Sequence, residues 1–282
     1  MKKIILSIGI TLLSITYLKA QENALLWKIS GKDLKTESYI LGTIHIMCEE
    51  NFNIPDKVKK ATTEVDQVIF EVDLSTPEAI ATAQKLAMTP NTKFFENYDS
   101  QKLAYIDSAL TSHELSIKVF DMVAPTTVIS LLTLKSFACA DLSKVKMMEA
   151  EIKTLAAGKK ITDLETIDFQ MDLLTKLATP DYFYDYYKNY DEYKGLSHQM
   201  VEYYNAEDLK GLKSIFENSK YMSKDQLESM LVNRNVKWVE DIPAKIQNTK
   251  SLIAVGAGHL IGEKGIITLL RNKGYTLTPI KN

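Results

Sequence analysis

Apolar residues fall along this chain in two rhythms. Short continuous runs bounded by glycine or polar residues read as buried strands: Leu25 to Ile29, Ser38 to Leu41, Gln67 to Leu74, Ser251 to Gly256 and Tyr275 to Ile280. The turn Gly31-Lys32-Asp33 joins the first two as a hairpin. Between the others the spacing becomes helical. Pro55 to Val65 and Pro77 to about Met88 each begin at a proline, which suits a first helical position. From Asn91 to about Gln247 the pattern is mostly helical. Val145, Met148, Ile152 and Leu155 share one face before Gly158, and Ile167 to Leu177 runs up to Pro180. Further helices are predicted at Ala206–Glu217 and at Lys224–Ile246, with a break near Asn233, and Ile161 to Leu164 is a short candidate strand. A last helix is expected at Ile261–Lys273, with Ile266, Ile267, Leu269 and Leu270 on one face. This grammar predicts an α/β fold of α+β-like character. A small mixed sheet is built from both ends of the chain, and a large helical insertion (about 91–247) lies within a single domain of residues 21–282.

Residues 1–20 stand outside that pattern. A basic start, Met1-Lys2-Lys3, precedes the apolar run Ile4 to Leu18, and Ala20 supplies a small residue before Gln21. These are the parts of a secretory signal peptide, short for a membrane span, so the expectation is an exported protein, periplasmic or extracellular, with no stable membrane insertion after cleavage. Without Lys2, Lys3 and Lys19 the formal charge moves from −2 to −5, which argues against nucleic acid as a partner. Export also changes how Cys48 and Cys139, the two cysteines of the chain, are read. An oxidising compartment favours a disulfide between them; the alternative is that Cys48, three residues after His45, is a metal ligand.

Two of the predicted strands run into the same device. Tyr39-Ile40-Leu41 leads into Gly42-Thr43-Ile44-His45, and Leu252 to Val255 leads into Gly256-Ala257-Gly258-His259. A strand that passes through a glycine turn at the carboxyl edge of an α/β sheet delivers its next residues to the place where such folds bind ligands. His45 and His259 are therefore read as partners in one site, with Gly42, Gly256 and Gly258 letting a ligand approach the backbone. Glu71 interrupts the apolar strand Val68-Ile69-Phe70-Glu71-Val72, where a carboxylate needs a partner. It is either an edge-strand residue facing water or the carboxylate that joins the two histidines. Two imidazoles and one carboxylate suit a catalytic divalent metal. Asp73 would share the face of Glu71 as a supporting group, or cap the next helix. Glu165 is a second candidate carboxylate, or an acid at a helix start. Of the 34 basic residues only Arg234 and Arg271 are arginines, so Arg234 reads as kept for its planar fork, toward a substrate carboxylate or an internal acid such as Glu165. The run from Asp181 to Tyr193 holds six tyrosines, and reads either as a lid for an extended peptide or as rings packed on a core.

These pieces together resemble the TraB/PrgY/GumN family, which is related to the Tiki proteases that cleave Wnt proteins. The matching segments are YILGTIHIMC (Tyr39–Cys48), VIFEVDL (Val68–Leu74), KKITDLETIDFQMDLL (Lys159–Leu174), the Arg234-Asn235…Trp238 helix and SLIAVGAGHLIGEKGIITLLRNKGY (Ser251–Tyr275), in the family's order. Gln170 falls where the family often has Gln. The resemblance implies that His45, Glu71 and His259 form the active site, which in Tiki-like members is a metal-dependent peptidase site acting on a peptide. With a metal present, Glu71 would be either a ligand or the general base. More distant relatives include esterase-like hydrolases and haem-iron-binding proteins, and PrgY-type members blunt pheromone signalling. A metal-free His/Glu hydrolase acting on a small molecule, and a non-catalytic protein that binds a peptide or haem iron, therefore stand beside the leading expectation.

Overall fold

A computed structural model describes residues 23–281. The signal segment expected at 1–20 lies outside the described residues. Strand β1 (Leu26–Ser30) turns through Gly31 and Lys32, both at positive φ, into β2 (Ser38–Thr43), and the two pair antiparallel with Leu26 opposite Leu41. Short β3 (Ile46–Met47) follows, then the helix Asp56–Glu64 and strand β4 (Gln67–Phe70). Two-residue β5 (Lys146–Met147) pairs with β3, while β6 (Lys160–Asp163), β7 (Ser251–Gly256) and β8 (Thr276–Ile280) complete the strands. The main sheet has six strands in the order β6-β4-β7-β2-β1-β8. The four from β6 to β2 are mutually parallel, and β1 and β8 close the other side antiparallel.

The chain thus folds as a mixed α/β protein. β7 lies at the centre of the parallel set, and Ser251 to Val255 are all buried, as a strand covered on both faces requires. Around it Trp27, Ile40, Ile69, Ile253 and Trp238 form the main core. The helical middle carries a second apolar cluster of its own, in which Phe94, Phe120 and Phe183 pack ring on ring. The candidate strand Ile161–Leu164 is found one residue earlier as β6, Lys160–Asp163, so the sheet takes its edge from the middle of the chain as well as from both ends.

Three local differences matter for the site. The strand expected to reach Leu74 ends at Phe70, because the carbonyls of Phe70 and Glu71 both accept from the N–H of Leu164 and the chain then turns away. The helix expected from Ile261 begins at Ile266 and ends at Asn272. Gly262 at φ 83° breaks the path after a single 3-10 turn, Ala257–Leu260. The helix expected across 224–246 is a short helix Lys224–Leu227, a π turn Glu228–Val232 and the helix Asn233–Ile246. A π turn inside a helix commonly marks a functional position, and this one ends two residues before Arg234.

Candidate functional site

The four parallel strands end within two residues of one another: Thr43 is opposite Gly256, and Phe70 is opposite both Ala254 and Asp163. Each strand delivers a polar side chain just past its end, namely His45, Glu71, Glu165 and His259. Gly256 stands among them. A methyl group placed on its Cα would lie 3.4 Å from Glu71 Oε1, 3.5 Å from His45 Nε2 and 3.7 Å from His259 Cδ2. The three residues singled out in the sequence therefore converge on one point.

Glu71 is buried and fully engaged. Its Oε1 accepts the N–H of Gly256 at 2.7 Å, while Oε2 accepts from Arg234 Nη2 and from Gln170 Nε2 at 3.3 Å. Burial pushes its carboxyl up, but the groups around it, His259, Arg234, His45 and the Gly256 N–H, together hold it down at about 2. His259 is buried and uncharged: burial drives its pKa down to about 3, against the pull of Glu71 and with Arg234 adding to the fall. At neutral pH, with His259 uncharged, the charges of Arg234 and His45 and the Gly256 N–H are thus what keep Glu71 ionised.

The environment also fixes the tautomer of His259. Asn235 Nδ2 donates to the carbonyls of His259 (3.3 Å) and Lys264 (2.9 Å), so its Oδ1 faces Nδ1 of the ring at 2.6 Å and accepts its proton. Nε2 then carries the lone pair, which accepts from Arg234 Nη1 at 3.2 Å and lies 3.6 Å from Glu71 Oε1. Trp238 supports the ring, with centroids 4.4 Å apart.

His45 differs in every respect. Its side chain is 64% exposed at the mouth of a cleft of about 200 Å³. Nδ1 donates to Glu149 Oε1 at 3.0 Å, and Thr43 Oγ1 donates to the same oxygen at 2.8 Å. The walls of the cleft lower the imidazole's pKa, but the hydrogen bond and charge of Glu149, with the charge of Glu71, outweigh them and hold it at about 9. One histidine is therefore cationic and open, the other neutral and enclosed.

The remaining candidates separate. Arg234 binds Glu165 through Nε (3.2 Å) and Nη2 (2.6 Å), Glu71 through Nη2, and both the Met230 carbonyl (2.9 Å) and His259 through Nη1. All five of its N–H groups are spent inside the protein, so of the two expected partners, a substrate carboxylate or an internal acid such as Glu165, it is the internal acid that the fork meets. Glu165 is the clamp's second jaw and does not begin the following helix, which Thr166 caps instead. Asp73 pairs with Lys153 Nζ at 2.5 Å and accepts from Ser75. It touches none of the three converging residues, because the strand that would have aligned it with Glu71 has already ended.

Of the three glycines, only Gly256 offers a backbone group to the site. Gly42 gives its N–H to Leu25 and its carbonyl to the hydroxyl of Tyr204, and it lies flat against Ala257 and Leu260. Gly258 packs under Phe216 and Leu231. Both serve close approach between elements, not a ligand. The spacing Gly-x-x-His occurs a third time at Gly195–His198, inside the helix Tyr190–Asn205, where no strand ends. Cys48 and Cys139 form a disulfide, their Cα atoms 5.2 Å apart, so Cys48 is not a thiolate ligand. Phe183, Tyr186 and Tyr187 pack in the second apolar cluster, and none of the six tyrosines of that run lines the His45 cleft.

Glu149 and Asn235 were not assigned roles from the sequence. Glu149 looks like any acid in the first turn of a helix (Met148–Leu155). Asn235 did carry a signal, since it is a polar residue on the buried face that Trp238, Val239 and Ile242 define.

The donor set suits a divalent cation in its chemistry. Both imidazoles have Nδ1 tied to an acceptor, which makes Nε2 the nitrogen that could turn to an ion, and Glu71 adds an oxygen beside them. It is not drawn up around one: among the described residues no three His, Cys, Asp or Glu side chains are spaced to hold a metal ion, and Arg234 occupies Nε2 of His259.

No curated protein and no solved structure matches the chain. The TraB/PrgY/gumN family model does, over residues 25–279, a span that takes in all of the sheet but the last residue of β8, the Arg234 clamp and both glycine–histidine turns; the chain belongs to that family.

Proposed function

We propose that this protein is an exported hydrolase of acyl bonds, most naturally peptide bonds, whose reaction takes place over Gly256 between His45, Glu71 and His259. The observation that carries the reading is the convergence of those side chains on a single point at the carboxyl ends of the parallel strands. His45, Glu71 and His259 would hold a divalent ion, which polarises a carbonyl and lowers the pKa of a bound water toward ~7.

The chain's own groups supply the rest. Glu71, ionised and held by Arg234 and the Gly256 N–H, would be a ligand of the ion or, if the histidines alone hold it, the base that takes a proton from the attacking water. His45 would be a neutral ligand through Nε2 when the ion is bound, its Nδ1–H held by Glu149; only without the ion would it be charged and able to return a proton to the leaving group. Asn235 keeps the lone pair of His259 on Nε2, and Trp238 keeps its ring in place. Export is supported by the disulfide, which belongs to an oxidising compartment, and among the described residues no helix is long and apolar enough to cross a membrane.

One observation favours a metal-free version of the same chemistry. A cationic His45 and an ionised Glu71 already form an acid and a base with their pKa values pushed far apart. The test is metal analysis of purified residues 21–282, wild type beside His45→Ala, with a mixed-peptide cleavage screen before and after exhaustive chelation. Stoichiometric metal lost in the variant, and cleavage lost on chelation, is the expected result. Cleavage that survives chelation selects the metal-free route. Peptide or haem binding without any product would replace the hydrolase with a binding protein.

A further inference from the structure

The cleft that opens beside His45 is lined by both polar and apolar side chains. Phe70, Val72 and Ala150 contribute to it, and Leu74 and Met147 project at its rim with 44% and 43% of their surface open. These are the two large apolar side chains of the lining left that open, and a cleft lined by apolar groups with a few polar ones is the usual form of a ligand site. They are set by two separate turns: Leu74 by the chain leaving β4 after Glu71, Met147 by β5, whose next residue Met148 is buried.

The charges in the same cleft are all answered from within. His45 is paired with Glu149 at 3.0 Å, Glu71 with Arg234, and Asp73 with Lys153 at 2.5 Å. A charged side chain entering there would lose water and meet groups that are already matched, which is unfavourable. An uncharged apolar one would cover Leu74 and Met147 and disturb none of those pairs.

We infer that the cleft selects an apolar side chain next to the bond that reacts, gripped between Leu74 and Met147. This rests on the hydrolase reading of the same site and adds the substrate class to it. Both residues touch only the bound side chain, so they set specificity and take no part in the chemistry.

The experiment uses capped tripeptides Ala-X-Ala with X as Gly, Leu, Phe, Asp or Lys. Cleavage is measured with the wild-type protein and binding with His45→Ala, so the binding arm does not depend on turnover. Leu and Phe are expected to exceed Asp and Lys by about tenfold or more in both arms. Leu74→Lys and Met147→Lys, each at an open position that folding tolerates, should erase that preference through KM with kcat little changed. Equal affinity for all five peptides, preference for the charged ones, no binding of any, or lysine variants that keep the wild-type ranking would each overturn the inference. Apolar preference in binding without cleavage by the wild type would instead remove the hydrolase and leave the pocket. Cleavage abolished by His45→Ala with no side-chain preference would do the reverse.

Discussion

Arg234 grips Glu165 at two points in the protein interior, Nε on one carboxylate oxygen at 3.2 Å and Nη2 on the other at 2.6 Å, and the same Nη2 reaches Glu71. A guanidinium can span two carboxylates in this way because its donors are fixed in a plane; an ammonium is a single point. Breaking a buried pair leaves an uncompensated charge, so Arg234→Met should lose about 3–5 kcal/mol in urea unfolding. Arg234→Lys should recover less than half of that and still be inactive. Glu165→Gln combined with Arg234→Met should cost less than the two changes added, by about 1 kcal/mol or more. Strict additivity would mean the two residues do not act as one unit.

The two histidines should separate stability from activity. His45 is mostly exposed, so His45→Ala should stay within about 1 kcal/mol of wild type in unfolding. His259 is buried against Trp238 and bonded to Asn235, so His259→Ala should cost about 2 kcal/mol or more. Both should abolish turnover. Turnover retained in either one would take that histidine out of the reaction.

The disulfide joins Cys48, three residues past His45, to Cys139 beyond the helix Pro125–Ser136, closing a loop across a sequence separation of 91. The chain-entropy estimate for a loop of that length is about 4–5 kcal/mol, and the Cys48→Ser/Cys139→Ser double variant should fall short of wild type by up to that amount. A reductant should lower the melting temperature of wild type and leave the double variant unchanged.

Much of this site was legible because its residues break a pattern. Glu71 stands in an apolar strand, and His45 and His259 each follow a glycine turn at a strand's end. Such departures are visible in one dimension because a strand tolerates few reasons for them. The sheet's two ends were legible for the same reason, as dense apolar runs. Glu149, by contrast, obeys the local rule for helix starts, so nothing in the sequence separates it from an acid that merely suits the helix dipole. Arg234 was read in part: its isolation among lysines marked it out, but whether its fork faces a substrate or an internal acid depends on where Glu165 lies across the sheet. Asp73 was misaligned because period-two reasoning assumes the strand continues, and a tertiary bond from Leu164 ends it at Phe70.

His113 reports on the helical lobe and not on the site. Its ring makes edge contacts with Tyr187 and Tyr190, while Lys135 donates to its carbonyl and Asp191 lies nearby. Burial, with Lys135 adding to it, lowers its pKa and Asp191 only partly opposes that. A histidine depressed in the folded state binds its proton more readily in the unfolded chain. Its contribution is therefore present above the unfolded value of about 6.5 and is lost as pH falls through and below it. Between pH 7.5 and 5 the melting temperature of wild type should drop further than that of His113→Gln. Parallel curves would mean the residue titrates alike in both states.

Two alanine substitutions should distinguish a glycine kept for packing from one kept for chemistry. A Cβ on Gly42 would stand 2.8 Å from Leu260 Cδ1 and 3.0 Å from the Cα of Ala257. The second of those is backbone and cannot rotate away, so Gly42→Ala should push the His259 turn off β2 and cost about 1–3 kcal/mol. A Cβ on Gly256 meets nothing closer than 3.4 Å, and its φ of −51° is open to any residue. Gly256→Ala should therefore melt within a degree or two of wild type, its stability changed by less than about 1 kcal/mol. Its methyl group nonetheless fills the point where Glu71 Oε1, His45 Nε2 and the His259 ring meet, the space a reacting group would need. Displacement on that scale costs about 10²-fold in rate, so turnover should fall at least that far while the fold survives. A Gly256→Ala protein that melts normally and keeps full activity would place the reaction somewhere other than over Gly256, whatever the histidine variants do.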